Sequence, residues 1–303
     1  MKQITRHILS LVLTCAMLLS LFPVVALAEE PEDNAAPTGK TIYVSATGGE
    51  GEPGSQENPY TSLKDAVDAI NLDADNQYYT VYLMSDVEAT ACARITDHHV
   101  TIASLPAEEG QAQEIYTITR GEDFQQIQDN ARSTYNPAMI EVTVPAGKGA
   151  SVTLENVTLD DAGRYEGTIF TQANSSGDPS GNSSCVQDAM IAAYGTDSAQ
   201  AKIILGSGAT LKNFGGMSAV RVIAGASLTM EEGSVICDDT VKDRIKGASG
   251  SIGPVGAVWV QGTGITMNDG AVIRDIVGRA VCVDGGSATI SGDIFNIKAD
   301  ADM

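Results

Sequence analysis

Apolar residues alternate with polar or small ones along "AVWVQGTGITMNDGAVIRD", Ala257 to Asp275. The same phrase has an earlier echo in "AVRVIAGASLTMEEGSVICDD", Ala219 to Asp239, and a later one in "AVCVDGGSATISGDIFN", Ala280 to Asn296. Alternation with a period of two predicts strands whose successive side chains face opposite ways. Aligned on their alanines, the phrases return after one short step from Ala257 to Ala280 and after a longer one from Ala219 to Ala257. The excess is placed in an insertion, "VKDRIKGASGSIGP", Val241 to Pro254. Parity then sends Val220, Val222, Leu228, Met230 and Ile236 inward, followed by Val258, Val260, Ile265, Met267 and Ile273, then Val281, Val283, Ala288 and Ile290. Outward slots hold Arg221, Trp259 and Cys282 in one row and Thr229, Thr266 and Thr289 in another. The inward slots are uniformly apolar and the outward ones are free to vary, as stacked coils require.

Upstream, similar short runs recur: "YTVYLMSDV", "HVTIAS", "IYTITRG", "MIEVTV", "SVTLENVTLDD", "AMIAAY" and "AKIILGSGATLKNF". Only one helix stands out, from about Thr61 to Ile70, with Leu63, Ala66, Val67 and Ile70 on one stripe and Thr61 as its expected N-cap. Such a short, one-sided helix suits covering the open end of a stack. A strand-built period of this length, shorter than a propeller blade, lacks the leucine and asparagine signature of leucine-rich repeats. A parallel β-helix remains, in which equivalent residues stack ~4.8 Å apart along the axis. One coil cannot bury its own flat faces, so neighbours must cover it. No second cover is visible where "SGDIFNIKADADM" stops, which leaves a truncated C-terminus open.

The chain of 303 residues is 43% apolar but only 5% aromatic, with 31 glycines, a balance that fits short strands and tight turns. The segment from Met1 to Ala28 reads as a secretory signal. Lys2 and Arg6 begin it, Ile8 to Phe22 is apolar, and Ala26-Leu27-Ala28 precedes Glu29, placing cleavage between Ala28 and Glu29. Cys15, inside the apolar run, fits a lipoprotein site poorly. Residues 29–40, "EEPEDNAAPTGK", read as an acidic disordered linker. Residues 41–79 are assigned to strand, loop and capping helix, and 80–303 to the coils.

Removal of the signal takes Lys2 and Arg6 from the 18 basic residues and no acid from the 39 acidic ones, which leaves a formal charge of −23. That field disfavours nucleic acid as a partner and is compatible with calcium, although no cofactor is expected. No other segment is long and apolar enough for a membrane helix. Cys92, Cys185, Cys237 and Cys282 are too sparse for a disulfide scaffold and too widely spaced for a CxxC metal ribbon.

"IYVSATGGEGEPGSQENPYTSLKDAVDAI", "SVTLENVTLDD" and "AVWVQGTGITMNDGAVI" together resemble right-handed parallel β-helix proteins of the pectate-lyase-like superfamily, of the kind found in exported surface proteins of Gram-positive bacteria. The resemblance spans about Thr41 to Ile297. It implies an all-β, single-stranded right-handed parallel β-helix with a short N-terminal capping helix. It specifies the fold better than the function, since the superfamily holds lyases, hydrolases, adhesins and inert stalks.

The family's catalytic sets are not legible here. Arg244-Ile245-Lys246 follows Asp238-Asp239 too closely to place residues from different coils around one sugar, and no Gly-His pair accompanies them. His98 and His99 lie side by side before a strand. In the tryptophan segment, Gln261-Gly262 stands where the resemblance leads one to expect Asp-His. Asp160-Asp161 is read as turn-forming acids, with a calcium site as the alternative. The Asn-x-Ser/Thr sequences at Asn156, Asn174 and Asn182 matter only in a eukaryotic secretory route.

The expected function is therefore that of an exported, non-enzymatic module, secreted or at the cell surface, presenting a rigid face to a glycan or to a host or cell-surface protein. A polysaccharide lyase or glycoside hydrolase is the alternative, and an inert stalk the second alternative. Insertions near Gly121 to Pro137, Thr171 to Ser184 and Val241 to Pro254 are where binding would be tuned. Trp259 and Arg221 are the candidate ligand-surface residues, Trp259 either stacking on a sugar or packing under the nearby insertion.

Overall fold

A computed structural model describes residues 39–298 except 125–126, 130–131, 137, 163–185, 188, 215–217 and 238–255, with backbone alone at 127–129, 132–136 and 186–187. The signal with its Ala28/Glu29 cleavage, almost all of the linker, Cys185, Asn174, Asn182, the Thr171–Ser184 and Val241–Pro254 loops and the Asp238-Asp239 and Arg244-Ile245-Lys246 motifs lie outside the described residues.

The chain opens with β1 (Lys40–Val44) and α1 (Leu63–Leu72), the one helix among the described residues. A round of three strands follows: β2 (Tyr78–Leu83), β3 (Val87–Ala89) and β4 (Ala93–Ile95). The next round is β5 (His99–Ser104), β6 (Tyr116–Arg120) and β9 (Ile140–Thr143), with β7 (Ile127–Asp129) and β8 (Arg132–Asn136) inserted before the third strand. Then come β10 (Gly149–Glu155), β11 (Val157–Asp160), the inserted β12 (Val186–Gln187) and β13 (Ala189–Tyr194), followed by β14 (Gln200–Leu205), β15 (Thr210–Lys212) and β16 (Ser218–Ile223). The series ends with β17 (Ala226–Met230), β18 (Val235–Cys237), β19 (Val258–Met267), β20 (Val272–Arg274), β21 (Val281–Ile290) and β22 (Asp293–Phe295).

Corresponding strands of successive rounds pair in parallel, which defines three ladders. Ladder A runs β1-β2-β5-β10-β14-β17 and ends on the second halves of β19 and β21. Ladder B runs β3-β6-β11-β15-β18-β20-β22. Ladder C runs β4-β9-β13-β16 and ends on the first halves of β19 and β21. The fold is thus an all-β parallel solenoid. The alignment of the three echoed phrases is met in register, with Val220 opposite Val258 and Val258 opposite Val281. Ser227, Gly264 and Ser287 likewise stand in one column.

Before the last rung the inward slots form one apolar core. Val220, Val222, Val258, Val260, Met267 and Ile273 are fully buried, as are Val152, Leu154, Ile203 and Leu205 in earlier rounds. The threonine row is longer than the sequence pattern alone indicates. Thr41, Thr80, Thr101, Thr153, Ile204, Thr229, Thr266 and Thr289 occupy one outward column, broken only by Ile204. β-branched residues suit this exposed pleat.

Corners have distinct chemistry. Asn156, with φ of 47°, makes the one-residue bend from β10 to β11, and Asn213, Asp275 and Asn296 take the same left-handed conformation just after β15, β20 and β22. Asn and Asp adopt it most readily among residues with a Cβ. The long excursions leave from the corner between ladders B and C: residues 121–139, 161–188 and 238–257. Two of them meet there, since β7 and β8 form an antiparallel pair and β12 adds to β8 in parallel.

The helix begins two residues after the expected Thr61 and ends two after the expected Ile70. Ser62, not Thr61, is the N-cap, its hydroxyl accepting from the Asp65 amide. The two neighbours are equally suited chemically, and Ser62 is the one whose extended backbone adjoins the first helical turn. Leu63, Ala66, Val67 and Ile70 are buried, and the helix packs on β1 and β4, the first strands of ladders A and C. Asn71 ties the helix to β4 by donating to the Arg94 carbonyl at 2.6 Å and accepting from the Thr96 amide at 3.2 Å.

Candidate functional site

The insertion corner borders the outward face of ladder C. There Arg94, Glu141, Ala192, Arg221, Trp259 and Cys282 stand in one column, each opposite the next. Both sequence candidates, Trp259 and Arg221, fall in it as neighbours. The Arg221 guanidinium lies 4.3 Å from the Trp259 ring centroid, close enough for a cation–π contact, and donates to Gln261 at 3.3 Å. The Trp259 indole N–H donates to Asp284 at 2.9 Å. Trp259 keeps only 9% of its surface exposed. Its parity is outward, yet its ring is a packed part of the column and not an open platform for a sugar.

At the other end of the column Arg94 holds Glu141 at 2.8 Å. Glu141 is buried, whereas Arg94 remains substantially solvated. Beside it, Arg120 pairs with Asp161, and both side chains are fully buried. Arg120 also lies 4.3 Å from the Phe124 ring centroid. Arg120 follows Ile118 at inward parity, so a charge enters the apolar interior, where it requires a buried counter-ion. Asp161, one coil later, supplies it. Burial, followed by the Glu141 anion, pushes the Cys92 thiol well above the usual cysteine range. A protonated, shielded sulfur is a poor nucleophile.

The two acids Asp160 and Asp161 are divided between a turn and the core. Asp160 accepts from Asn213 at 2.9 Å, from the Ala162 amide at 2.8 Å and from Lys212 at 3.3 Å, while Asp161 is committed to Arg120. Among the described residues no group of three or more His, Cys, Asp or Glu side chains is placed to hold a metal ion. Cys92 and Cys282 carry free thiols. No described helix is long and apolar enough to cross a membrane.

His98 and His99 separate by parity. His98 is buried at the N-terminal end, 2.9 Å from the Asp73 carbonyl and edge-on to Tyr79. His99 faces out, stacked on Tyr78 with centroids 4.9 Å apart and its Nδ1 2.9 Å from the Ser151 hydroxyl. The Arg120–Asp161 and Trp259–Asp284 pairs are not visible in the sequence pattern. The available signal for the first is an arginine at an inward slot of "YTITR".

The class these features define is an all-β parallel solenoid. Comparison with known proteins finds no match among family models, curated proteins or solved structures.

Proposed function

We propose that the protein is an exported, non-enzymatic surface module, a single-stranded right-handed parallel β-helix of the pectate-lyase-like kind, whose rigid faces contact a glycan or a cell-surface protein. Right-handedness follows from the strong preference of parallel crossover connections for that hand. Export rests on the signal-like segment from Met1 to Ala28.

The observation that carries the reading is the long register of ladder A, in which eight rungs present one outward column of seven threonines and an isoleucine. A face fixed by continuous backbone pairing is ordered before any ligand arrives, which lowers the entropy lost on binding. The acids and arginines at the ladder C corner serve this reading as internal ties, since Glu141, Arg120 and Asp161 are shut away from solvent.

The test is incubation of the secreted chain with plant, mucin and bacterial glycans and with intact cells, with and without calcium. Saturable retention without any change in the glycan is the expected result. Release of shorter or unsaturated sugars would overturn it in favour of a lyase or hydrolase, and absence of all retention would favour an inert stalk.

A further inference from the structure

The outward face of ladder A changes character along its length. One column beside the threonines holds Tyr78 and His99, then Ser151, Lys202, Ser227, Gly264 and Ser287. The column on the other side holds Tyr43 and Tyr82, then Ala103 and Glu155. Four rings therefore sit outward in the first three rungs, in a chain that is only 5% aromatic. Later rungs show that the pleat is satisfied by serine, lysine or glycine at the same places, so sheet formation does not demand the rings.

The rings form two walls. Tyr43 and Tyr82 pair with centroids 6.0 Å apart, and Tyr78 stacks on His99 at 4.9 Å. Tyr78 and Tyr82 are separated by four residues of β2, roughly 13 Å at ~3.3 Å per residue, with Thr80 midway. The floor is the threonine column, whose hydroxyls both donate and accept. Tyr78 is 43% exposed, so its wall is open to solvent.

We infer that this outward face of β1, β2 and β5 is a binding site for a neutral oligosaccharide, held between the Tyr43–Tyr82 and Tyr78–His99 walls with Thr80 and Thr101 beneath it. Charge selects the occupant. The walls and floor carry no acidic or permanently basic side chain, in a chain of net charge −21 that repels polyanions. Burial of His99, with Lys202 and His98 nearby, lowers its pKa and so disfavours a positive charge in the wall. Aromatic faces and hydroxyls then match the apolar ring faces and the hydroxyl rim of an uncharged sugar. This inference rests on the glycan-contact reading above and adds its location and ligand class.

Isothermal titration of the secreted chain at pH 7 with gluco-, xylo-, manno- and N-acetylgluco-hexasaccharides tests it. At least one is expected to bind saturably, with Tyr78→Ala and Tyr82→Ala each weakening it about tenfold or more and Thr80→Val by a smaller factor. Trp259→Phe serves as the control and should leave affinity unchanged. Thermal unfolding of each variant reports folding, and Tyr78→Phe, which keeps the ring, should retain binding where Tyr78→Ala loses it. Binding that survives both alanine variants would overturn the site while leaving the glycan-contact function standing. Preference for uronic or sulfated oligomers would overturn the ligand class, and failure of every neutral probe would overturn the site itself. Failure here together with loss of all glycan and cell retention would remove the broader function as well.

Discussion

The two ends of the stack are built from the same inward chemistry and meet opposite fates. At the first rungs Val44, Val81 and Leu83 are fully buried, as are Val67 and Ile70 of the α1 helix that packs there. At the last rungs Val283, Ile290 and Ile294 retain 38–43% of their surface. Parity chooses which side chains point inward, but only a neighbouring layer removes them from water. The first end gains that layer from a helix stitched on by capping and by Asn71; none of the described residues plays this part at the last.

The comparison is easiest to break at the helix. Ile70→Ala opens a cavity under α1 and should cost about 2–5 kcal/mol, read by urea unfolding. The same variant should release the slow hydrogen exchange of β1 and β2, which in the parent chain should be better protected than β21 and β22. Equal protection at the two ends of the parent would contradict the contrast.

The helix C-cap gives the next effect. The Tyr79 hydroxyl donates to Asp73, which also accepts from Asn76 and from the Asp75 amide. The Tyr79 hydrogen bond, then that of Asn76, holds the Asp73 carboxyl well below its ordinary value. Because the folded pKa is depressed, this contribution is complete above about pH 4 and drains as the pH falls toward the folded value. Tyr79→Phe should destabilise the chain by about 1 kcal/mol at pH 7. Its difference from the parent should shrink on acidification below about pH 4, and a constant difference would mean that Asp73 does not depend on Tyr79.

Ser62→Ala removes the N-cap acceptor and should cost about 0.5–2 kcal/mol in the same unfolding measurement, whereas Thr61→Ala should cost clearly less. At the opposite end Ile290→Ala should change stability least, within about 0.5 kcal/mol, because its side chain is already 43% exposed. A large loss there would show that a layer covers the last rung in solution.

Much of the fold was legible because strand parity and coil return are local signals. Val258, Val260, Ile265 and Met267 are buried as their alternation requires, and the alanine-aligned phrases pair in the register their spacing indicates. The candidate residues were legible only in part. Parity places Trp259 outward beside Arg221, but it cannot say that Asp284 and the guanidinium enclose the indole. Arg120 and Asp161 come together across an excursion whose length does not encode where it returns. The helix face was plain from its stripe, while the choice between Thr61 and Ser62 turned on backbone conformation at a single residue.

In-register parallel ladders also fix how the molecule would carry load. Strands lie across the direction of stacking, so the hydrogen bonds point along it, and a pull between the two ends is felt by every interface in series. Tensile strength in that direction is set by the weakest rung and does not grow with the number of coils. Added coils lengthen the reach of the faces and leave the breaking force where it was.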